Sequence, residues 1–310
     1  MACYNMVVLN AEPAGYSVKA IESWKQKGYA YKASGWDEIM QQHQIDDASI
    51  LITRLAKKID DRVLDKFPSL THLVSATTGL DHIDLQALDK RNIKLVSLRG
   101  QDEFLKTIPS TAEHTWALLL SLLRNIPAAN NHVKQGFWER DRFRGYQLKG
   151  KTIGIIGLGR TGTKVASYAR AFDMDVCYFD PFVDNNNYTR CDTLSGLLPM
   201  SDIVSIHVHL NADTQNLVAA HNTGMMKDGC LLINTSRGKI VDEEAVAQAL
   251  ATGKISGIAT DVLAGELDDI KLSPLWLAQQ KKHNIIITPH IGGATYDAMW
   301  ACEEYIVNLI

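Results

Sequence analysis

Three apolar runs in this chain of 310 residues end in side chains suited to acid–base and anion chemistry. Cys230–Asn234 runs into Thr235-Ser236-Arg237-Gly238, and Gly257–Thr260 runs into Asp261 with Glu266 five residues on. Ile285–Thr288 runs into Pro289-His290-Ile291-Gly292-Gly293. A guanidinium grips a carboxylate through paired hydrogen bonds and polarises a neighbouring carbonyl. An imidazolium gives a proton to a forming alkoxide. A carboxylate holds that imidazole in orientation and favours its charged form. Any one of these residues at a strand end is as often structural. Arg237, Glu266 and His290 together supply what reduction of a 2-oxo acid needs apart from the hydride.

A signature for the hydride carrier begins at Gly157, 80 residues before Arg237. Thr152–Ile156 reads as a buried strand and feeds into Gly157-Leu158-Gly159-Arg160-Thr161-Gly162, with a helical pattern following. Glycines there permit a tight turn, close approach of backbone to a pyrophosphate and close helix–strand packing, and the helix N-terminus offers unpaired N–H groups. The motif alone is weak. Here an acidic residue, Asp180, ends the next strand 18 positions after Gly162, which completes the dinucleotide context. A carboxylate there accepts bonds from ribose hydroxyls and repels a 2′-phosphate, and Pro181 and Phe182 provide no arginine, so NAD is expected over NADP.

Apolar runs alternate with helical patterns along the whole chain, the signature of parallel sheets covered by helices. The first third has runs at Met6–Leu9, Ile50–Thr53, His72–Ala76 and Ile93–Ser97, with helical spacing over Val18–Lys27 and Arg62–Phe67. From residue 152 the runs are Thr152–Gly157, Met174–Phe179, Ile203–Val208, Cys230–Asn234, Gly257–Thr260 and Ile285–Thr288, with helices expected over Thr161–Phe172 and Glu243–Ala251. Thr111–Leu123 is a long apolar helix behind a Pro-Ser-Thr start, followed by the polar, aromatic stretch 134–147. A second joint lies at Pro289–Ala294, before a last helix from Tyr296. Two α/β domains are expected.

Net charge is −3 with both signs interspersed, which argues against a nucleic-acid or polybasic membrane surface. No stretch reaches the length of a membrane span, and the N-terminus lacks a basic leader, so a cytoplasmic protein is expected. Five cysteines (Cys3, Cys177, Cys191, Cys230, Cys302) without C-x-x-C spacing read as reduced thiols.

In combination, SATTGLDHID (75–84), TAEHTWALLLSLLRNI (111–126), GIIGLGRTG (154–162), INTSRGKIVDE (233–243), ATDVLAGE (259–266) and TPHIGGAT (288–295) resemble the D-isomer-specific 2-hydroxyacid dehydrogenase family, which includes D-3-phosphoglycerate dehydrogenases. The resemblance covers about residues 50–305. It implies Arg237 on the substrate carboxylate and carbonyl, His290 as acid/base and Glu266 as its partner. It places Asp261 at the carboxamide side of the cofactor, with Arg160, Thr161, Thr235, Ser236, Gly292 and Gly293 also at the dinucleotide. Thr78 and Gly79 meet the substrate carboxylate through backbone amides, Thr78 also bordering the cofactor. Arg54 is a further substrate candidate, able to reach a phosphate or second carboxylate. The implied architecture is a flavodoxin-like substrate domain (1–100 plus 291–310) and a Rossmann NAD-binding domain (101–290), dimerising through the latter with segment 134–147 as an arm. The sequence departs from the family at Thr77, where glycine is usual, and at His209, where proline is usual. The family typically continues beyond the position of Ile310, so a tail is expected to be missing and a C-terminal regulatory domain has no room.

His207 and His209 share a strand face, but without a third ligand no metal is expected. Asp81 and Asp84 read as caps, and Glu113 and His114 as stabilisers of the linking helix. A non-catalytic NAD(H)-sensing protein of corepressor type is the alternative on the same fold. It would have no need of Arg237, Glu266 and His290.

Overall fold

The computed structural model describes residues 6–281 and 283–310, so Cys3 lies outside the described residues. The chain forms two compact units: everything up to Thr107 with Ala294–Ile310, and Ile108–Gly293.

The first unit holds a five-stranded, all-parallel sheet built from β1 (Val7–Asn10), β2 (Ala30–Ala33), β3 (Ala48–Thr53), β4 (His72–Ser75) and β5 (Lys94–Ser97). Their order, β2-β1-β3-β4-β5, is the flavodoxin-like one. Ile50, Leu51, Leu73 and Val74 are fully buried, because helices cover both faces of the sheet. The last helix, Tyr296–Ile306, belongs to this unit. Its Glu303 accepts from Ser17 N at 2.7 Å, Glu304 accepts from Ser17 Oγ at 2.7 Å, and Tyr305 stacks on Phe104 at 4.0 Å. Asp84 caps the helix Leu85–Lys90 through Ala87 N at 3.0 Å, as its position in the sequence suggests.

The second unit holds seven parallel strands: β6 (Thr152–Ile156), β7 (Asp175–Phe179), β8 (Thr189–Arg190), β9 (Ile203–Ile206), β10 (Cys230–Asn234), β11 (Ile255–Thr260) and β12 (Ile285–Ile287). Their order is β12-β11-β10-β9-β6-β7-β8, a doubly wound sheet with its switch point between β6 and β9. Ligands in such sheets collect beyond the carboxyl ends of the strands near that point. Two strands were not foreseen, β2 and β8. Both sit at sheet edges and carry no fully buried residue, so neither needs an apolar run. Among the described residues no helix is long and apolar enough to cross a membrane.

Candidate active site

The Ile108–Gly293 unit gathers the glycine turn and the three polar strand ends. At the glycine turn each residue has its own reason. Gly157 has φ +89°, and a Cβ there would sit 2.5 Å from the His207 carbonyl oxygen. A Cβ on Gly162 would clash with the Gly157 carbonyl oxygen, so the helix Arg160–Ala171 starts against the strand only because Gly162 has none. Gly159 meets nothing within 4 Å: its missing side chain opens space and serves no packing. No side chain caps the following helix, leaving its first N–H groups for an anion. Asp180 is buried, and its carboxylate accepts Leu158 N at 2.8 Å from one oxygen and Phe182 N and Val183 N at 2.8 and 3.1 Å from the other. It therefore shapes the glycine turn. Arg160 Nη1 donates to Ile108 O at 3.3 Å.

At the end of β10, Asn234 accepts Ser236 N at 3.0 Å and donates to Arg237 O at 3.0 Å, closing the turn that carries Arg237. Ser236 Oγ donates to Ile206 O at 2.7 Å, and Arg237 Nη1 donates to Ser236 O at 2.7 Å. Thr115 Oγ1 donates to Thr111 O, so the 2.8 Å contact between Thr115 and Thr235 has Thr235 as donor. A Cβ on Gly238 would overlap the Leu263–Ala264 peptide, so the Arg237 turn lies directly on the loop that carries Glu266. Glu243, buried in the helix Glu243–Ala251, fixes that loop by accepting Ala264 N at 2.6 Å and Ser273 Oγ at 2.5 Å.

His290 Nδ1 lies 2.7 Å from Glu266 Oε1, with both side chains largely covered. An ionised glutamate only accepts, so Nδ1 carries the hydrogen and Nε2 takes no part in this contact. His290 has φ +54°, a left-handed conformation uncommon outside glycine and costly for a bulky side chain. Asp261 at the end of β11 holds that conformation. Its carbonyl accepts His290 N at 2.8 Å, Oδ1 accepts Ile291 N at 2.9 Å and Oδ2 accepts Gly292 N at 2.7 Å. A Cβ on Gly292 would come within 3.0 Å of Oδ2, whereas Gly293 meets nothing within 4 Å. Burial alone pushes the Asp261 carboxyl up, but hydrogen bonds from His114, Thr288, Ile291 and Gly292 outweigh it and hold its pKa below the ordinary carboxylate value. The His114 contact differs from the helix-stabilising role read from the sequence. No spacing rule connects residue 114 with residue 261.

His207 is a packed histidine. Its Nε2 lies 2.8 Å from Ser205 Oγ, and burial pushes its pKa down to about 3, so it stays neutral. Among the described residues no group of three His, Cys, Asp or Glu side chains could hold a metal ion.

In the other unit, Thr77 Oγ1 donates to Gly79 O at 2.9 Å, which makes Ser75 the donor in its 2.8 Å contact with Thr77. The threonine that replaces the family's usual glycine thus braces the loop bearing Thr78 and Gly79. Arg54 is 18% exposed at its side chain; Nη2 pairs with the buried Glu303, and Nη1 donates to Ala14 O at 3.0 Å.

Residues 116–292 match the family described as D-isomer specific 2-hydroxyacid dehydrogenase, NAD binding domain. The chain belongs to this family. It is 35% identical to a D-3-phosphoglycerate dehydrogenase of Archaeoglobus fulgidus over 98% of its own length, but spans only 57% of that relative. It is 34% identical to a hydroxypyruvate reductase of Thermotoga maritima over 84% of this chain and 83% of the other. The crystal structure of a D-lactate dehydrogenase from Aquifex aeolicus with NAD and lactic acid superposes with a TM-score of 0.74 at 27% identity, covering 98% of this chain and 93% of that one. In this family's terms the glycine turn and Asp180 lie in the NAD-binding domain, as do Arg237, Glu266 and His290.

Proposed function

We propose that the protein is an NAD-dependent dehydrogenase that interconverts a small D-2-hydroxy acid and its 2-oxo acid. The observation that carries this reading is the His290–Glu266 pair, held on a strained turn in the same unit as the dinucleotide turn. A nicotinamide bound at the glycine turn would supply or take the hydride at the α carbon. Arg237 grips the carboxylate and polarises the carbonyl, and Nε2 of His290 delivers the proton that completes the hydroxyl. In oxidation the same nitrogen, unprotonated, removes that proton. Glu266 keeps Nδ1 protonated and the ring aimed. Arg160, Thr161, Thr235, Ser236, Gly292 and Gly293 border the cofactor in this reading, and amides of Thr78 and Gly79 meet the acid. The hydroxyls of Thr235 and Ser236 already donate within the protein, so their contribution to a ligand is as acceptors or through backbone. The catalytic set favours an enzyme over a sensing protein.

For the substrate, Arg54 decides. Its charge is already answered by Glu303, so a phosphate brought there meets a carboxylate as well as a guanidinium. Unphosphorylated acids such as glyoxylate, pyruvate and hydroxypyruvate are the proposed class. A homodimer forms through the NAD-binding domain, for which the arm 134–147 offers exposed Phe137, Trp138 and Tyr146. The setting is the cytoplasm. Steady-state rates with NADH and NADPH against these acids and a phosphorylated 2-oxo acid test the reading. NADH with an unphosphorylated acid should give the highest kcat/KM. Absence of turnover with every acid overturns it, and equal efficiency with NADPH overturns the role of Asp180.

A further inference from the structure

We propose that His114, in the first turn of the helix Ser110–Leu123, is a positioning residue that fixes the catalytic turn by holding the Asp261 carboxylate. The proposal rests on the reading of His290 as acid/base.

His114 Nε2 lies 3.2 Å from Asp261 Oδ1 and 3.1 Å from Thr288 Oγ1. Thr288 has one hydroxyl hydrogen, and its shortest contact is with Asp261 Oδ1 at 2.6 Å, so that hydrogen goes there. Both neighbours of Nε2 are then acceptors, which assigns the hydrogen to Nε2, shared between them. Asp261 Oδ1 thus takes hydrogens from His114, Thr288 and Ile291, while Oδ2 takes one from Gly292. A carboxylate has about four acceptor positions. Oδ1 is filled by the protein, and Oδ2 keeps one position, which is where the carboxamide of the cofactor fits in the family reading. Orientation follows from this asymmetry. The carboxylate cannot rotate to offer Oδ1 outward without breaking three bonds, so His114 and Thr288 determine which oxygen faces the ligand and which holds Ile291 N. The same carboxylate sets the φ of His290 through the two following amides. His114 is 17% exposed at its side chain, and its Cδ2 lies 3.5 Å from where a Cβ on Gly292 would be, so the ring also walls the turn.

Four proteins are compared with NADH and a 2-oxo acid that the parent turns over: the parent, His290→Asn, His114→Leu and His114→Gln. Glutamine carries an N–H donor near the position of Nε2, whereas leucine keeps bulk without a donor. Loss of the donor should lower kcat by about 10–100-fold, as expected when a reacting group is misplaced, with KM for the acid changed less than about threefold. Amide exchange at Ile291 and Gly292 should accelerate in His114→Leu, and His114→Gln should recover most of both losses. Equal kcat in the leucine variant and the parent overturns the proposal. So does an equal loss in both variants, or unchanged exchange at the two amides. Should His114→Leu fail to fold, Thr288→Val removes the neighbouring donor to the same oxygen and is read by the same split and the same exchange. An active His290→Asn overturns the acid/base reading instead, and is distinguished because exchange at Ile291 and Gly292 still reports on the clamp.

Discussion

In the proposed reading two turns in the Ile108–Gly293 unit carry the chemistry, and a carboxylate from the end of a neighbouring strand closes each. Asp180 beyond β7 bonds Leu158 N in the turn after β6, and Asp261 beyond β11 bonds Ile291 N and Gly292 N in the turn after β12. They differ in what occupies the left-handed position. In the first it is Gly157, at φ +89°, where no side chain is opposed. In the second it is His290, at φ +54°, where the conformation persists because surrounding bonds over-determine it. A turn that only has to admit a ligand can be made from absences. A turn that has to aim a reactive side chain must be held by bonds.

The largest effect should come from the aimed residue. His290→Asn keeps a side chain that tolerates a left-handed backbone but cannot act as acid at neutral pH. Reduction should fall by about 10²–10⁴-fold in kcat while the urea midpoint stays close to that of the parent. A clear gain in stability would instead show that the histidine turn is strained beyond what Asp261 compensates.

The glycine turn can be split between fold and ligand. Gly162→Ala should destabilise the protein by about 1–3 kcal/mol, since the new methyl meets the Gly157 carbonyl. Gly159→Ala meets nothing and should change stability by less than about 0.5 kcal/mol. NADH binding should nonetheless weaken by about tenfold or more, because the methyl occupies space the pyrophosphate needs. Titration calorimetry and denaturant melts on the two variants separate these roles. Equal stability losses would collapse the distinction.

A third difference is read in acid. The folded-state pKa of Asp261 is depressed, so the stability it contributes is present above the unfolded carboxylate value of about 4 and is lost as pH falls through the folded one. Asp261→Asn removes this linkage. Its unfolding free energy should depend less on pH below about 4 than that of the parent, in urea melts between pH 6 and 3.

The smallest effect concerns two buried thiols. Burial pushes Cys177 up to about 11 and Cys230 up to about 12. Neither should react with a disulfide reagent at pH 8 until the protein unfolds.

Legibility from the sequence followed the same divide. Glycine spacing, buried β-strands and polar strand ends are local patterns; β10 (Cys230–Asn234) and the helix Glu243–Ala251 begin and end where the pattern places them, and the last helix begins at Tyr296 as expected. The edge strands β2 and β8 have no such pattern, because an edge need not bury both faces. Bonds that cross long stretches of chain leave no periodic trace. His114 to Asp261, Arg54 to Glu303 and Glu243 to Ala264 each join residues whose separation follows no rule of helix or strand. Arg54 is an example: by type it reads as an anion receptor, and its Glu303 partner comes from the other end of the chain.

That partner bears on the order of synthesis. Glu303 satisfies both Ser17 N and Arg54, residues that leave the ribosome nearly 250 or more positions before it. Until the last helix emerges, Arg54 lacks its carboxylate and Ser17 N its acceptor, and closing such long loops is slow. The Ile108–Gly293 unit draws all its strands from consecutive sequence and has no such wait. The unit whose synthesis begins first is therefore the one completed last.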